Sequence, residues 1–248
     1  MSAFKPLLAE LDRWEAADAT ATLWLRDDDA TDRTATLEPL LRATGRQGVP
    51  LVLAVIPMLA TPALADRLLE EEGVTVWQHG ICHTNRAAVG DKKQELVTAD
   101  RDTRQRLREA CGRLQDLFGS TACPVLVPPW NRIAAQLIPH LSGAGFQGLS
   151  QYRPRRSPTA APGLWQVNTH VDLVLWREER RFAGPASVCA AIAALLAARR
   201  QREVDITEPT GVLSHHAVMG ENAWDFLSDL FALTKSHPAA HWLVPPSE

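Results

Sequence analysis

Two histidines four positions apart, His79 and His83 in the segment VWQHGICHTNR, are residues that could bind one metal ion. If this segment takes a helical turn, both imidazoles can reach the same cation. The spacing alone is not specific, because two polar residues at the start of a loop would look the same. A carboxylate is available upstream, where Asp27 to Asp29 follow the apolar run TLWL. Two imidazoles and one carboxylate would form a facial set that leaves positions open for water and substrate.

Two further polar segments also follow apolar runs. One is PPWNR, with Pro129, Trp130 and Asn131, and the other is SHHA, with His215 and His216. Each feature has a structural explanation, since acidic runs are common in turns and at helix starts, and adjacent strand residues face opposite sides. Their common position directly after apolar runs favours one shared functional site.

The apolar runs alternate with segments of helical periodicity. Short apolar runs predict strands over 22–26, 50–56, 74–78, 124–128, 146–150, 164–176 and 211–215. Apolar residues three or four positions apart predict helices over 34–45, 62–72, 94–118, 133–143, 186–201 and 221–235. This alternation predicts an α/β fold whose parallel sheet closes, or nearly closes, into a barrel. The polar segments would then meet at the carboxyl ends of the strands.

Composition narrows the class of protein. A chain of 248 residues with 46% hydrophobic and 22% charged residues predicts one domain over 1–248. The formal net charge of -3 argues against nucleic acid or an anionic membrane as the main partner. The first 20 residues lack the pattern of a secretory signal, so a cytoplasmic protein is expected. The oligomeric state is left open.

These motifs resemble those of the polysaccharide deacetylase (NodB-homology) family, also called carbohydrate esterase family four. The resemblance spans most of the chain and implies a distorted seven-stranded (β/α) barrel. In that family a strand is followed by two aspartates, a general base and then a metal ligand. The resemblance therefore implies Asp27 as the base and Asp28 as the ligand, with Asp29 in place of the usual glycine. The family's histidine motif matches HGICH, which implies His79 and His83 as ligands and puts Gly80 where a hydroxyl residue is usual.

A third family motif is arginine, any residue, proline and an aromatic residue. The segment VPPWN keeps Pro129 and Trp130 but has Val127 in place of the arginine. A positive charge at that place keeps the catalytic aspartate ionised and oriented. We expect Arg26 or Arg132 to supply this charge, and we prefer Arg132 because it leaves the same loop as the missing arginine.

The last family motifs supply the acid and its partner. The segment LSH implies His215 as the general acid, and THVDLVLWR offers Asp172 as the carboxylate that orients it, followed by Trp176. A plain structural role for Asp172 is the alternative. The expected contacts to substrate come from four residues at the mouth: Pro129, Trp130, Asn131 and His216.

The implied activity is metal-dependent removal of an N-acyl group, N-acetyl in the first instance, from a sugar or related small amide. Zinc is the expected ion, and cobalt, nickel, manganese and iron accept similar ligands. One alternative is a metal-independent hydrolase of cyclic amides in the same superfamily, and another is a non-catalytic carbohydrate-binding descendant. Two groups of arginines could recognise an anionic substrate or belong to solvated loops: Arg153, Arg155 and Arg156, and Arg177, Arg180 and Arg181.

Overall fold

A computed structural model describes residues 2–246. Residues 1, 247 and 248, which the predicted domain 1–248 includes, lie outside the described residues. The strands are β1 (Ala21–Ala30), β2 (Leu51–Val55), β3 (Val74–His79), β4 (Ala122–Val127), β5 (Gly148–Leu149), β6 (Thr159–Ala161), β7 (Leu164–Gln166), β8 (Val171–Asp172), β9 (Val174–Leu175), β10 (Arg181–Phe182), β11 (Thr210–Ser214) and β12 (Ala240–Trp242). The α-helices are α1 (Lys5–Ala16), α2 (Leu37–Gln47), α3 (Pro62–Leu68), α4 (Arg101–Phe118), α5 (Pro185–Arg200) and α6 (Glu221–Lys235).

The central sheet is parallel and closes through one segment of chain. Its strands follow the order β5, β4, β3, β2, β1 and β11. The segment from β7 to β8 joins the two edges, because β7 pairs with β5 and β8 pairs with β11. Between these strands, Thr169 N donates to Gln151 O at 3.0 Å and His170 N donates to Gly211 O at 2.8 Å. The predicted distorted (β/α)7 barrel is therefore confirmed.

Both faces of the strands are buried. Alternate residues of β1 to β4 point inward and form an apolar cluster that includes Trp24, Trp77 and Val127. The rings of Trp24 and Trp77 lie 5.4 Å apart inside the barrel. The intervening residues, such as Leu23 and Leu25, pack in the layer between the sheet and the helices. This arrangement explains why the strands are continuous apolar runs, and it makes strand alternation decide where a side chain at a strand end points.

Helix α4 begins at Arg101 and not at residue 94, and two further helical assignments differ from the sequence prediction. Residues 133–143 form short 3₁₀ helices, Ala135–His140 and Ser142–Ala144, and no α-helix. Pro139 lacks the N–H that a regular helix needs, and the segment ends at Gly145 with a φ of 97°. Helix α1 was not predicted; it packs on α5, where Trp14 Nε1 donates to Leu196 O at 3.2 Å. None of the helices in the described part of the chain has both the length and the apolar character to span a membrane.

Closure of the barrel predicts an intolerance of side chains at Gly211. A Cβ atom there would lie 2.5 Å from Trp24 Nε1 and 2.7 Å from Asn168 O, and the backbone atom cannot easily move away. We expect Gly211→Ala to lower the free energy of unfolding by about 1–3 kcal/mol. The matched control is Gly112→Ala in α4, where a Cβ would have no neighbour within 4 Å. That control should stabilise the protein by up to about 1 kcal/mol. Equal unfolding midpoints in urea for the two variants would contradict the close packing at Gly211 where the barrel closes.

Candidate metal centre

The three aspartates at the end of β1 point in three directions. Strand alternation places Arg26 and Asp28 on the inner face and Asp27 on the outer face. The pairing of β1 with β2 then shifts between Asp27 and Ala30, which marks a β-bulge. Within the bulge, Asp29 has a left-handed backbone with a φ of 74°. Because a bulge breaks the alternation, Asp29 turns toward the end of β3.

Asp29 meets the two histidines predicted as metal ligands. Its Oδ1 atom is 3.1 Å from His79 Nε2 and 3.2 Å from His83 Nε2. One ligand atom from each of these residues lies within 4.8 Å of the others. The Oδ1 atom is buried and has no hydrogen-bond partner. Two imidazole nitrogens and one carboxylate oxygen that converge in this way fit the donor set of a divalent transition-metal ion.

The orientation of each imidazole suits a ligand role. His79 Nδ1 lies 3.0 Å from the Val127 carbonyl oxygen, which favours a proton on Nδ1 and leaves the Nε2 lone pair toward Asp29. His83 has a left-handed φ of 56°, and its ring centroid lies 4.4 Å from that of Trp130. The loops after β3 and β4 therefore hold the two rings in place.

The charges at this centre favour a cation. Burial lowers the pKa of His79, but the carboxylates of Asp28 and Asp29 outweigh it and raise the pKa above its ordinary value. Burial likewise opposes ionisation of Asp29, but the nearby imidazole of His79 holds the pKa of Asp29 far below its usual range. The pKa of His83 is lowered by burial and by the neighbouring His79, which favours the neutral imidazole that a metal ion requires. The shifts of Asp29 and His79 mark a place where positive charge is stabilised.

Asp28, predicted as the metal ligand, contacts an arginine. Arg26 Nε donates to Asp28 Oδ1 at 2.8 Å, and Arg26 Nη2 donates to Asp28 Oδ2 at 3.0 Å. Residues two apart on a strand share a face, so the inward position of Arg26 fixes that of Asp28. In this geometry Asp29, and not the predicted Asp28, lies beside the two histidines. Ala30, rather than Asp29, then occupies the position of the family's glycine.

The arginine that replaces the missing one is Arg26 and not Arg132. Arg26 is fully buried, and its guanidinium also donates to Ser150 Oγ at 2.7 Å and to Asn131 Oδ1 at 2.9 Å. Arg132 points outward and donates to Lys93 O at 2.9 Å. The preference for Arg132 was therefore wrong, because the direction of β1 sends Arg26 into the barrel. Asn131, predicted to contact substrate, helps to hold this arginine.

Asp27, predicted as the general base, lies on the other side of the strand. Asp27 Oδ2 accepts hydrogen bonds from Ser214 Oγ at 2.6 Å and from His216 N at 2.9 Å. Its Oδ1 lies 2.5 Å from His216 Nδ1. Burial lowers the pKa of His216, but the charge of Asp27 outweighs it and raises the pKa. Asp27 and His216, predicted as the base and as a substrate contact, are buried against each other. Together they fix the loop that carries His215.

His215 lies between an acid and an aromatic ring, as the motifs predicted. Its Nδ1 is buried, has no hydrogen-bond partner and is 3.9 Å from Asp172 Oδ1, which is too long for a hydrogen bond. Trp176 Nε1 donates to Asp172 Oδ2 at 2.8 Å, and the Trp176 ring contacts His215 edge-on at 4.6 Å. Burial raises the pKa of Asp172, although His215 acts in the opposite direction. Asp172 and Trp176 thus flank the imidazole of His215.

Sequence reasoning missed Glu95, which supports the turn between the two histidines. Its buried carboxylate accepts from Ile81 N at 3.0 Å, Cys82 N at 2.9 Å and Thr84 N at 3.3 Å. Backbone N–H groups directed at one carboxylate fix the path of the chain from His79 to His83. The segment KKQEL contains no motif that marks Glu95, so only the fold shows this contact.

Glu95 also explains the glycine that departs from the family motif. A Cβ atom at Gly80 would lie 2.2 Å from Glu95 Oε2 and 2.5 Å from Pro129 Cγ. Gly80 has a left-handed φ of 61° as well. A serine or threonine at this position would collide with the carboxylate, so Glu95 replaces the support that the hydroxyl would give.

The arginines that could recognise an anion or belong to solvated loops are partly used in the fold. Arg155 Nε donates to Asp205 Oδ2 at 2.8 Å, and its Nη1 donates to Gln166 O at 2.6 Å. Arg181 forms an ion pair with Glu178. Arg155 is therefore structural, and Arg181 is neutralised locally.

No protein-family model and no curated protein matches this sequence, whereas solved structures match most of the chain. The peptidoglycan N-acetylglucosamine deacetylase Bc1960 superposes with a TM-score of 0.60 at 17% identity, covering 92% of this chain and 87% of that one. A family 4 carbohydrate esterase from Streptomyces lividans, in complex with acetate, has a TM-score of 0.54 at 16% identity over 91% and 93% of the two chains. A family 4 acetyl xylan esterase from Clostridium thermocellum, in complex with a cobalt ion, has a TM-score of 0.50 at 13% identity over 90% and 87%. This chain therefore has the fold of the family 4 carbohydrate esterases and polysaccharide deacetylases.

The Glu95 contacts predict an effect on metal affinity. In Glu95→Gln an amide replaces an acceptor that receives backbone N–H groups, so the loop to His83 should loosen. We expect a loss of about 10- to 100-fold in affinity for Zn²⁺ with the barrel still folded. The measurement is a titration with Zn²⁺ against a competing chelator, together with circular dichroism. The control is Glu109→Gln on α4, an exposed glutamate whose side chain accepts from Gln105. Equal affinity in the two variants would contradict the supporting role of Glu95.

Proposed function

We propose that this protein is a metal-dependent hydrolase that removes an N-acyl group, with N-acetyl as the expected acyl group, from a sugar or related small amide. The observation that carries the proposal is the convergence of Asp29, His79 and His83. The Oδ1 atom of Asp29, which faces both imidazoles, is buried and has no hydrogen-bond partner. A second carboxylate, that of Asp28, immediately precedes Asp29 in the chain. The structural likeness to a deacetylase and to esterases of sugars supports the class of substrate.

Three residues would hold the metal: Asp29, His79 and His83. Zn²⁺ is the ion that we propose, and Co²⁺, Ni²⁺, Mn²⁺ and Fe²⁺ suit the same donors. When bound, such an ion polarises the acyl carbonyl and lowers the pKa of water. A cobalt ion is present in one of the similar structures.

Asp28 is the general base in this proposal. Two hydrogen bonds from Arg26 hold its carboxylate in one orientation, next to the metal ligand Asp29. A base must be fixed within reach of the proton that it removes, and here that proton belongs to the attacking water. Arg26 acts through Asp28 and is therefore a positioning residue. Its further bonds to Ser150 and Asn131 keep the guanidinium from rotating away.

His215 is the general acid in this proposal. Its imidazole would donate a proton to the leaving amine, while Asp172 and Trp176 limit its orientation. We assign the backbone N–H of Trp130 to the acyl oxygen as it becomes negative. The next two N–H groups of that loop are engaged, since Asn131 N donates to Pro128 O at 2.9 Å and Arg132 N donates to Pro129 O at 3.2 Å.

The alternatives explain less of this geometry. A metal-independent hydrolase of cyclic amides has no need for three convergent donor groups at the barrel mouth. A non-catalytic descendant has no need for a buried arginine that holds a second carboxylate beside them. Metal content therefore separates the proposal from both alternatives, since each of them predicts a protein that functions without a bound ion.

The first test separates the proposed roles of the neighbouring aspartates, Asp28 as base and Asp29 as metal ligand. Asp29→Asn should lose bound metal, because it removes a ligand. Asp28→Asn should keep the metal and lower kcat by about 10²- to 10⁴-fold, because it removes the base. Metal is measured by elemental analysis of protein purified without a metal-affinity tag, and kcat is measured on N-acetylated chito-oligosaccharides with and without chelator.

The control for these variants is Asp66→Asn, which changes an exposed aspartate on α3. It should change neither metal content nor kcat. Metal loss in Asp28→Asn with retention in Asp29→Asn would reverse the assignment. Failure of metal-loaded wild-type protein to hydrolyse any member of a panel of N-acetylated sugars and small amides would overturn the proposed function.

The Arg26 contact predicts a change in pH dependence. Arg26→Met removes the charge beside Asp28, so protonation of the base becomes easier and the acidic limb of the kcat/KM profile should move to higher pH. Arg26→Lys keeps a charge but loses the two-point contact, so kcat should fall by about 10-fold with a smaller movement of that limb. The control is Arg132→Met, assayed on a neutral substrate. A shift of the limb in Arg132→Met and not in Arg26→Met would contradict the positioning role.

A further inference from the structure

A basic groove of about 730 Å³ lies in the loop region after His83. Its wall is formed by the segment from Arg86 to Val97 together with Arg132. Three cationic side chains line it, Arg86, Lys92 and Arg132, against one carboxylate, Asp91. The reaction proposed above uses none of these side chains.

The groove is formed by the same two loops that carry His83 and Trp130. One side of Trp130 packs against His83, with ring centroids 4.4 Å apart. Lys93 Nζ lies 5.9 Å from the Trp130 ring centroid, and the Lys93 carbonyl accepts the hydrogen bond from Arg132 Nη1 at 2.9 Å. Arg86, three residues after His83, is joined to the opposite wall where Arg86 N donates to Gln94 O at 2.8 Å. These contacts place the groove beside the loop that carries His83.

The cations of the groove are available to a ligand. Elsewhere in the structure, Arg67 and Arg155 are paired with carboxylates. No ion pair that involves Arg86, Lys92 or Arg132 occurs among residues 2–246. The chain as a whole carries a formal charge of -3, so this local excess of positive charge is opposite in sign to the overall field. Such a local reversal raises the concentration of an anionic ligand at the site.

We propose that this groove binds a phosphate group of the substrate while the N-acyl group lies at the metal centre. The proposal rests on the proposed function and narrows its substrate to a phosphorylated acylamino sugar. Arg86 and Arg132 offer planar guanidinium groups that can each make two hydrogen bonds to phosphate oxygens, and Lys92 adds a point charge. Trp130, between the groove and His83, offers an apolar face for the sugar ring.

A second basic groove provides the internal comparison. It has a volume of about 420 Å³, lies between α4 and the turns that follow residue 135, and is lined by Arg101, Arg104, Arg108 and His140. Its cations are partly engaged, since Arg108 Nη2 donates to Gly143 O at 3.2 Å and Arg104 Nη1 lies 3.5 Å from His140 Nδ1.

The test is calorimetric binding of glucosamine 6-phosphate and of glucosamine to the metal-loaded full chain at low salt. Neither probe has an acyl group to remove, so binding is measured apart from hydrolysis. We expect the phosphorylated sugar to bind about 10-fold more tightly. Arg86→Gln and Arg132→Gln should each reduce that advantage by about 3- to 5-fold, and the double variant should abolish it. The control is Arg46→Gln, in the last turn of α2, which should have no effect.

Three results would overturn the groove proposal. The phosphorylated sugar could bind no more tightly than glucosamine, its advantage could survive in the double variant, or Arg104→Gln could remove it. The second result would place the phosphate on the metal, and the third would place it in the other groove. If metal-loaded protein hydrolyses neutral N-acetylated sugars while any of these results is found, only the groove proposal fails. If hydrolysis is absent but the expected binding is found, only the proposed function fails.

Discussion

The two-residue alternation of β1, interrupted by one bulge, is the constraint on which the candidate site depends. It gives three neighbouring carboxylates three surroundings. Asp27 faces outward and holds the loop before and after His215 through Ser214 and His216. Asp28 faces inward beside Arg26, and Asp29 leaves the strand to meet the histidines. A shift of one residue in this strand would exchange all three environments.

Burying the ion pair of Arg26 and Asp28 has a large desolvation cost. Taking two charges out of water is unfavourable by several kcal/mol per ion unless hydrogen bonds satisfy both groups. Here the Nε, Nη1 and Nη2 atoms of Arg26 all have partners. Val127, at the place of the family's arginine, packs in the apolar interior of the barrel instead. The positive charge has therefore moved from the end of β4 to β1, where it still reaches the carboxylate that we propose as the base.

The sequence predicts the barrel, and the two histidines predicted as ligands lie together beside a carboxylate. Strands buried on both faces appear as apolar runs, and residues as close in sequence as His79 and His83 can meet once the chain between them turns. The separate roles of Asp27, Asp28 and Asp29 could not be predicted from the sequence. The bulge and the left-handed backbone of Asp29 decide where each side chain points, and three identical residues do not show where a bulge lies. Glu95 was invisible for another reason. Its contacts are backbone N–H groups of residues 11 to 14 positions away, and a carboxylate in a polar segment is ordinarily solvated.

The central claim is that Asp29, and not Asp28, completes the metal site with the two histidines. Anomalous diffraction from crystals grown with Zn²⁺, measured at the zinc absorption edge, tests this claim most directly. We predict one strong peak about 2.0–2.2 Å from a carboxylate oxygen of Asp29 and about 2.0–2.1 Å from the Nε2 atoms of His79 and His83. Asp28 should remain bound to Arg26. A peak coordinated by Asp28, or the absence of a peak at this place in zinc-saturated crystals, would contradict the account.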